Sequence, residues 1–149
     1  MTVTLDQPTT PATRHGRDLV TEQDFRMLAD FCAEEYGLEQ SVADRIIDQA
    51  LALAYVMGTT QSGDVMAPSE TVDPGWHTLI LHTQWYEAWC QQQFGYFLHH
   101  APKSKMRTRG LMQDVQARIH AEGFEVDERL WPKAAECNAP TCCGDGPCC

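Results

Sequence analysis

The sequence predicts an all-α fold: a small bundle of about four helices, with a flexible arm before it and a cysteine-rich tail after it. Three observations predict it. Apolar residues recur at helical spacing in four separate stretches. Capping signals and glycines bracket those stretches. No stretch sustains the two-residue alternation of a strand. A chain of 149 residues with 43% hydrophobic content suffices for one domain with a real core.

Residues 1–18 carry Thr/Pro clusters without periodicity and read as the flexible arm. Thr21-Glu-Gln-Asp24 resembles a capping box, and Phe25, Leu28, Phe31 and Cys32 then follow at helical spacing. Gly37 closes this first helix, expected over about 21–36. Ser41-Val-Ala-Asp44 is a second capping signal, with Ile46, Ile47, Ala50, Leu53, Ala54 and Met57 behind it and Gly58 as a stop. The second helix is therefore expected over about 42–57, packed antiparallel on the first through the short Gly37 connection. Residues 58–72 read as a loop. Asp73-Pro74 looks like an N-cap followed by proline at the first helical position, opening a third helix from about 74 to 94 that stops at Gly95. Tyr96–Pro102 reads as extended, and a fourth helix over about 107–122 carries Leu111, Met112, Val115 and Ile119. A brief turn is expected around Asp127–Trp131, so that the helical domain covers 19–132 and the tail 133–149.

On a straight helical wheel, the third helix presents Trp76, Leu79, Ile80, Thr83, Tyr86, Cys90 and Phe94 as one apolar stripe. A helix this apolar is expected at the centre of the bundle. Glu87 falls inside the stripe, where a carboxylate is costly unless paired or ligated. It reads either as a structural ion pair or solvent-edge position, or as a metal ligand or acid/base group. His77 and His82 point about 140° apart and make no chelating pair. On a straight helix His77 lies about 27 Å from Gly95, and the five residues to His100 span at most about 16 Å. Cys90 with His99 or His100 is then the geometrically cheap metal site. His77 needs partners from elsewhere, such as Asp73, the first helix or the tail. The plain alternative is structural, a histidine satisfying backbone carbonyls and a cysteine acting as a small hydrophobe.

Five of the seven cysteines lie in the last 13 residues as C-x4-C-C-x4-C-C: Cys137, Cys142, Cys143, Cys148 and Cys149. The spacers use Asn, Pro, Gly and Asp, which form turns and build no core. Five thiols this close suit soft or borderline metals, Cu(I) or Zn(II), or redox exchange. The alternatives are a reduced tail of no specific role and a tail that a processing enzyme modifies.

The formal charge is −10, from 21 acidic and 11 basic residues. That balance disfavours nucleic acid and anionic membrane surfaces, which are bound through Lys and Arg. No run reaches the roughly 18 apolar residues of a membrane span, and the first residues lack the basic-then-apolar pattern of a secretory signal. A cytoplasmic location is expected, where thiols stay reduced.

Asp73-Pro-Gly-Trp76-His77, Ile80-Leu-His-Thr83, Tyr86, Cys90, Gly95 and His99-His100-Ala-Pro102 look like the core of the glycine-rich domain-containing protein-like family. The resemblance covers residues 73–102. Plant members carry a second histidine where this chain has Leu79, and the glycine-rich segment of the family name has no counterpart here. The resemblance implies an α-helical domain and marks Asp73, His77, Tyr86, Cys90, His99 and His100 as site residues. It implies no reaction. The expectation is a small metal-binding helical protein with a thiolate-rich tail. The rivals are a non-enzymatic interaction or substrate protein whose tail is modified, and a metalloenzyme using Glu87 or Asp73 as base.

Overall fold

A computed structural model describes residues 13–60, 66–100 and 111–131, with the backbone alone for 111–114. A short 3-10 helix, Gly16–Leu19, is followed by α1 (Glu22–Tyr36), α2 (Gln40–Thr59), α3 (Asp73–Leu81), α4 (Thr83–Phe94) and α5 (Leu111–Ala121). Among the described residues there is no strand, and an isolated bridge joins Arg14 to Phe124. The fold is all-α. Among the described residues no helix is long and apolar enough to cross a membrane.

Local chemistry accounts for the first helix. Thr21 Oγ1 accepts the Asp24 N–H at 3.1 Å, and Gly37 closes α1 in the left-handed conformation at φ 62°. The second capping signal is not used. α2 already starts at Gln40, with Glu39 as its N-cap, so Ser41 lies inside the helix. Gly58 is no stop either. It is buried within α2, and a Cβ there would fall 2.3 Å from the Phe94 ring. A side chain at this point would have to push the Phe94 ring aside.

The central element is α2, rather than the stretch around Trp76. Ile46, Ile47, Gln49, Ala50, Leu51, Ala52, Leu53, Ala54 and Val56 are all buried, and α1, α3, α4, α5 and the 3-10 helix pack around it. The alanines set the layout, because small side chains let neighbouring helices approach. Gly75 does the same from α3: a Cβ there would meet Ala50 Cβ and Ile46 Cγ2 at 2.8 Å.

The long third helix is in fact two. His82 adopts φ −81°, ψ 63°, which ends α3 and opens α4. No Gly or Pro causes this. The His82 ring bonds back through Nδ1 to the Thr78 carbonyl at 2.7 Å and sits edge-on to Phe31 at 4.8 Å. The break gives α4 its own buried face, Tyr86, Trp89 and Cys90, and turns Glu87 out to solvent. Glu87 is thus a solvent-facing residue, and the buried-carboxylate argument for it falls.

Both ends of the described chain dock on the bundle. The Arg14 N–H bonds to the Gly123 carbonyl at 2.9 Å, and Glu125 N–H bonds to the Arg14 carbonyl at 2.8 Å. Residues 13–18 of the expected arm are therefore held against the fold; residues 1–12 lie outside the described residues. At the other end, the expected turn forms, with Leu130 N–H to Asp127 O at 2.9 Å, and Trp131 is fully buried. Gln49 anchors this turn. Its Oε1 accepts from Asp127 N–H at 3.1 Å and from the Trp131 indole at 2.9 Å, while its Nε2 donates to the Glu125 carbonyl at 2.9 Å.

Candidate functional site

The site is built on the first two turns of α3. Ser69, itself buried, organises the entry: its hydroxyl accepts from Val72 N–H at 3.1 Å and its carbonyl accepts from Asp73 N–H at 2.8 Å. The N-cap position falls on Val72, so Asp73 is the first helical residue rather than the cap. Its carboxylate is released from capping and meets the residue one turn on. His77 Nδ1 lies 3.0 Å from Asp73 Oδ2 and 3.0 Å from the Asp73 carbonyl. Both neighbours are acceptors, so Nδ1 carries the proton and Nε2 presents its lone pair. The His77 side chain is 39% exposed, so the ring stands at the surface rather than in the core.

Beside it, Trp76 is buried and donates its indole N–H to His100 Nδ1 at 3.0 Å. An indole N–H only donates, so His100 Nδ1 accepts and the ring proton sits on Nε2. His100 is thereby fixed in the tautomer opposite to His77, and their rings meet edge-on at 5.4 Å between centroids. While the Trp76 bond stands, neither His100 nitrogen offers a free lone pair.

The segment after α4 is held along its length. Tyr96 donates its hydroxyl to the Gly58 carbonyl at 2.5 Å, and Tyr86 donates to the Leu98 carbonyl at 2.8 Å. Phe97 packs edge-on to Tyr86 at 5.4 Å. Burial pushes the Tyr86 phenol far above its ordinary range, with the Cys90 thiol beside it adding to the effect, so Tyr86 stays a protonated donor. Cys90 is fully buried against that phenol. His99 is exposed and rests edge-on to Phe97 at 4.8 Å. Cys32 is also buried; desolvation raises its thiol, and a hydrogen bond from Thr78 partly offsets this.

Of the residues singled out by sequence, Asp73, His77 and His100 come together, with Tyr86 behind them through Trp76. Cys90, His99 and His100 do not gather: the first faces Tyr86, the second Phe97 and the third Trp76. The straight-helix reach argument set His77 too far from His100; the break at His82 brings α4 and its return segment back to α3. Among the described residues no group of three or more His, Cys, Asp and Glu side chains is arranged to hold a metal ion. The five tail cysteines, from Cys137 to Cys149, lie outside the described residues. Trp76 and Ser69 were not marked as site-forming by sequence. The lone Ser69 ahead of Asp73-Pro74 was a readable turn signal for the helix entry.

A family model described as UCP032817-like matches residues 20–130, about three quarters of the chain. The chain belongs to the UCP032817-like family. No curated protein and no solved structure matches it. The UCP032817-like span contains the whole 73–102 segment, and nothing in the match carries a glycine-rich designation. It runs from just before α1 to Leu130, so it takes in Asp73, His77 and His100 and stops short of the tail cysteines.

Proposed function

We propose that this protein binds a soft or borderline metal ion, Zn(II) or Cu(I), with His77 as the ligand of the helical domain and the C-terminal thiols as the sulfur donors. The observation that carries the reading is the Asp73–His77 pair. A carboxylate bonded to Nδ1 fixes a histidine's tautomer and orientation and raises the basicity of Nε2, the arrangement that metal-ligating histidines use. The cysteine-rich tail adds five soft donors, while Cys32 and Cys90 of the domain are buried away from His77's surface.

Titration of Zn(II) and of Cu(I) into the reduced full-length protein tests this, with a competing chelator to set affinity. Saturable binding is expected, weakening as pH falls because thiolate ligands compete with protons. Asp73→Asn should weaken it by about 10–100-fold, the usual cost of losing such a supporting carboxylate. Failure to bind either metal more tightly than a cysteine-free variant would end the proposal.

The tail's cysteines and Thr among turn residues are also compatible with a second reading, in which the domain presents the tail to a modifying enzyme. The intact mass of the protein isolated from its natural host separates the two. A covalent mass change confined to residues 133–149 supports modification.

A further inference from the structure

Two histidines meet beside the first turns of α3, each held in one tautomer. His77 Nδ1 is bonded to Asp73, and His100 Nδ1 accepts the Trp76 indole N–H at 3.0 Å. Their ring centroids lie 5.4 Å apart, with the planes 77° from parallel. A tetrahedral ion with metal–nitrogen bonds of about 2.0–2.1 Å spaces two imidazole centres by about 5 Å. The two rings therefore already stand at the separation of two ligands of one ion. The bond from Trp76 opposes that use.

The segment that carries His100 has anchors of its own. Tyr86 donates to the Leu98 carbonyl at 2.8 Å, Phe97 packs edge-on to Tyr86, and Tyr96 donates to the Gly58 carbonyl. These contacts reach α4 and α2 and do not involve Trp76. The His100 ring can thus turn about its side-chain bonds while the backbone before it stays in place.

Resting on the metal-binding reading above, we propose that His100 is a second nitrogen ligand of the ion bound at His77, and that the Trp76 indole is a latch that withholds it until metal arrives. Neither His100 nitrogen can ligate while the latch is closed. The Nδ1 lone pair is taken by the indole N–H. Ligation through Nε2 would move the ring proton to Nδ1, where it would face the indole N–H donor to donor. Opening the latch breaks one hydrogen bond and forms one metal–nitrogen bond. The ring stays neutral and the metal keeps its oxidation state. Asp73 keeps its bond to His77 Nδ1 and stays outside the coordination sphere.

A latch and a scaffold respond in opposite ways when Trp76 loses its donor. A scaffold bond would hold His100 in position for the ion, and its loss would weaken metal binding. A latch bond stabilises only the metal-free arrangement, so its loss tightens metal binding while lowering the stability of the fold.

The test reads zinc at the site itself, so that thiol binding elsewhere does not mask it. Nuclear magnetic resonance of the histidine ring nitrogens and the tryptophan indole protons is followed as Zn(II), buffered by a competing chelator, is added to the reduced full-length protein. In wild type, the His77 and His100 ring nitrogens should move to metal-bound shifts together, and the Trp76 indole proton should lose its hydrogen-bonded shift at the same zinc level. Trp76→Phe should fill the His77 site at roughly 10-fold lower free zinc, the weight of one hydrogen bond that no longer has to break. His100→Phe should raise the zinc required by more than roughly 10-fold, the least that even a supporting residue contributes. Zinc that binds His77 while the His100 and Trp76 signals stay unchanged, or a folded Trp76→Phe that fills no more readily than wild type, would overturn the latch and leave His77 binding metal without it. His77 nitrogens that never respond to zinc would overturn the metal-binding reading itself. The metal-free Tm shows whether each variant folds, and where one does not, the wild-type spectra decide.

Discussion

The indole N–H of Trp76 reaches His100 Nδ1 at 3.0 Å across 24 positions of sequence. That bond sets the tautomer of His100 beside His77. It commits His100 to accept at Nδ1, and it leaves His77, held by Asp73, as the open lone pair of the site.

Trp76→Phe should keep most of the buried ring contact with Tyr86 while removing the donor to His100. The lost hydrogen bond costs about 1–3 kcal/mol. In nuclear magnetic resonance, the His100 ring nitrogens should lose their fixed tautomer pattern while those of His77 keep theirs. A His100 spectrum identical to wild type would refute the assignment.

Gly75→Ala should destabilise the domain by about 1–3 kcal/mol, because its Cβ would stand 2.8 Å from Ala50 Cβ and Ile46 Cγ2. The strain falls between α2 and the helix that carries His77, so on the proposed metal-binding reading metal affinity should fall with stability. Thermal melting and metal titration on the same sample check both. By contrast Glu87→Gln, on the exposed face of α4, should move stability by less than about 0.5 kcal/mol.

Two carboxylates give opposite pH signatures. The Arg45 guanidinium holds Asp127 below the ordinary carboxylate range. Its stabilisation is present above the unfolded value, near 4, and is lost as pH falls through the lower folded value. The stability gap between wild type and Arg45→Gln should therefore close below about pH 4. Burial instead raises Asp48, so its cost is absent at acid pH, grows as pH rises past the unfolded value near 4, and is complete above the higher folded value. The melting temperature of Asp48→Asn relative to wild type should climb between pH 4 and pH 7. A flat difference would contradict a desolvated Asp48.

Cys32 and Cys90 are fully buried among the described residues and should resist alkylation in the native state. Maleimide labelling followed by peptide mass mapping should find both unmodified until the protein is unfolded. Rapid native labelling of Cys90 would show that the α4 face opens.

The sequence carried the elements whose causes are local. Thr21 and Gly37 bracket α1 because a hydroxyl cap and a left-handed glycine act within one turn. The break at His82 was hidden because its cause is tertiary: a ring bonded back to Thr78 and set edge-on to Phe31. Glu87 and the distance from His77 to His100, both placed by a straight wheel through that point, were displaced with it, whereas Trp76, Leu79, Tyr86 and Cys90 are buried as the wheel placed them. Gly58 misled in the other direction, since a helix-stopping residue is also the smallest surface for Phe94 to rest on. In the candidate site, Asp73 and His77 were legible as an i, i+4 pair once Asp73 was freed from capping. The role of Trp76 was not legible, because it depends on where residues 97–100 return.

Gln49 ties α2 to Asp127 and Trp131, 78 and 82 positions later. On the ribosome, α2 emerges long before those partners exist. Until residue 131 is made, the Gln49 Oε1 lacks both of its donors and the slot that receives the Trp131 ring stands open. A nascent chain that stalls short of this point keeps an exposed apolar slot beside an unmatched amide. Such a product is a natural target for chaperones and proteases, so the last turn of the domain acts as a completion seal.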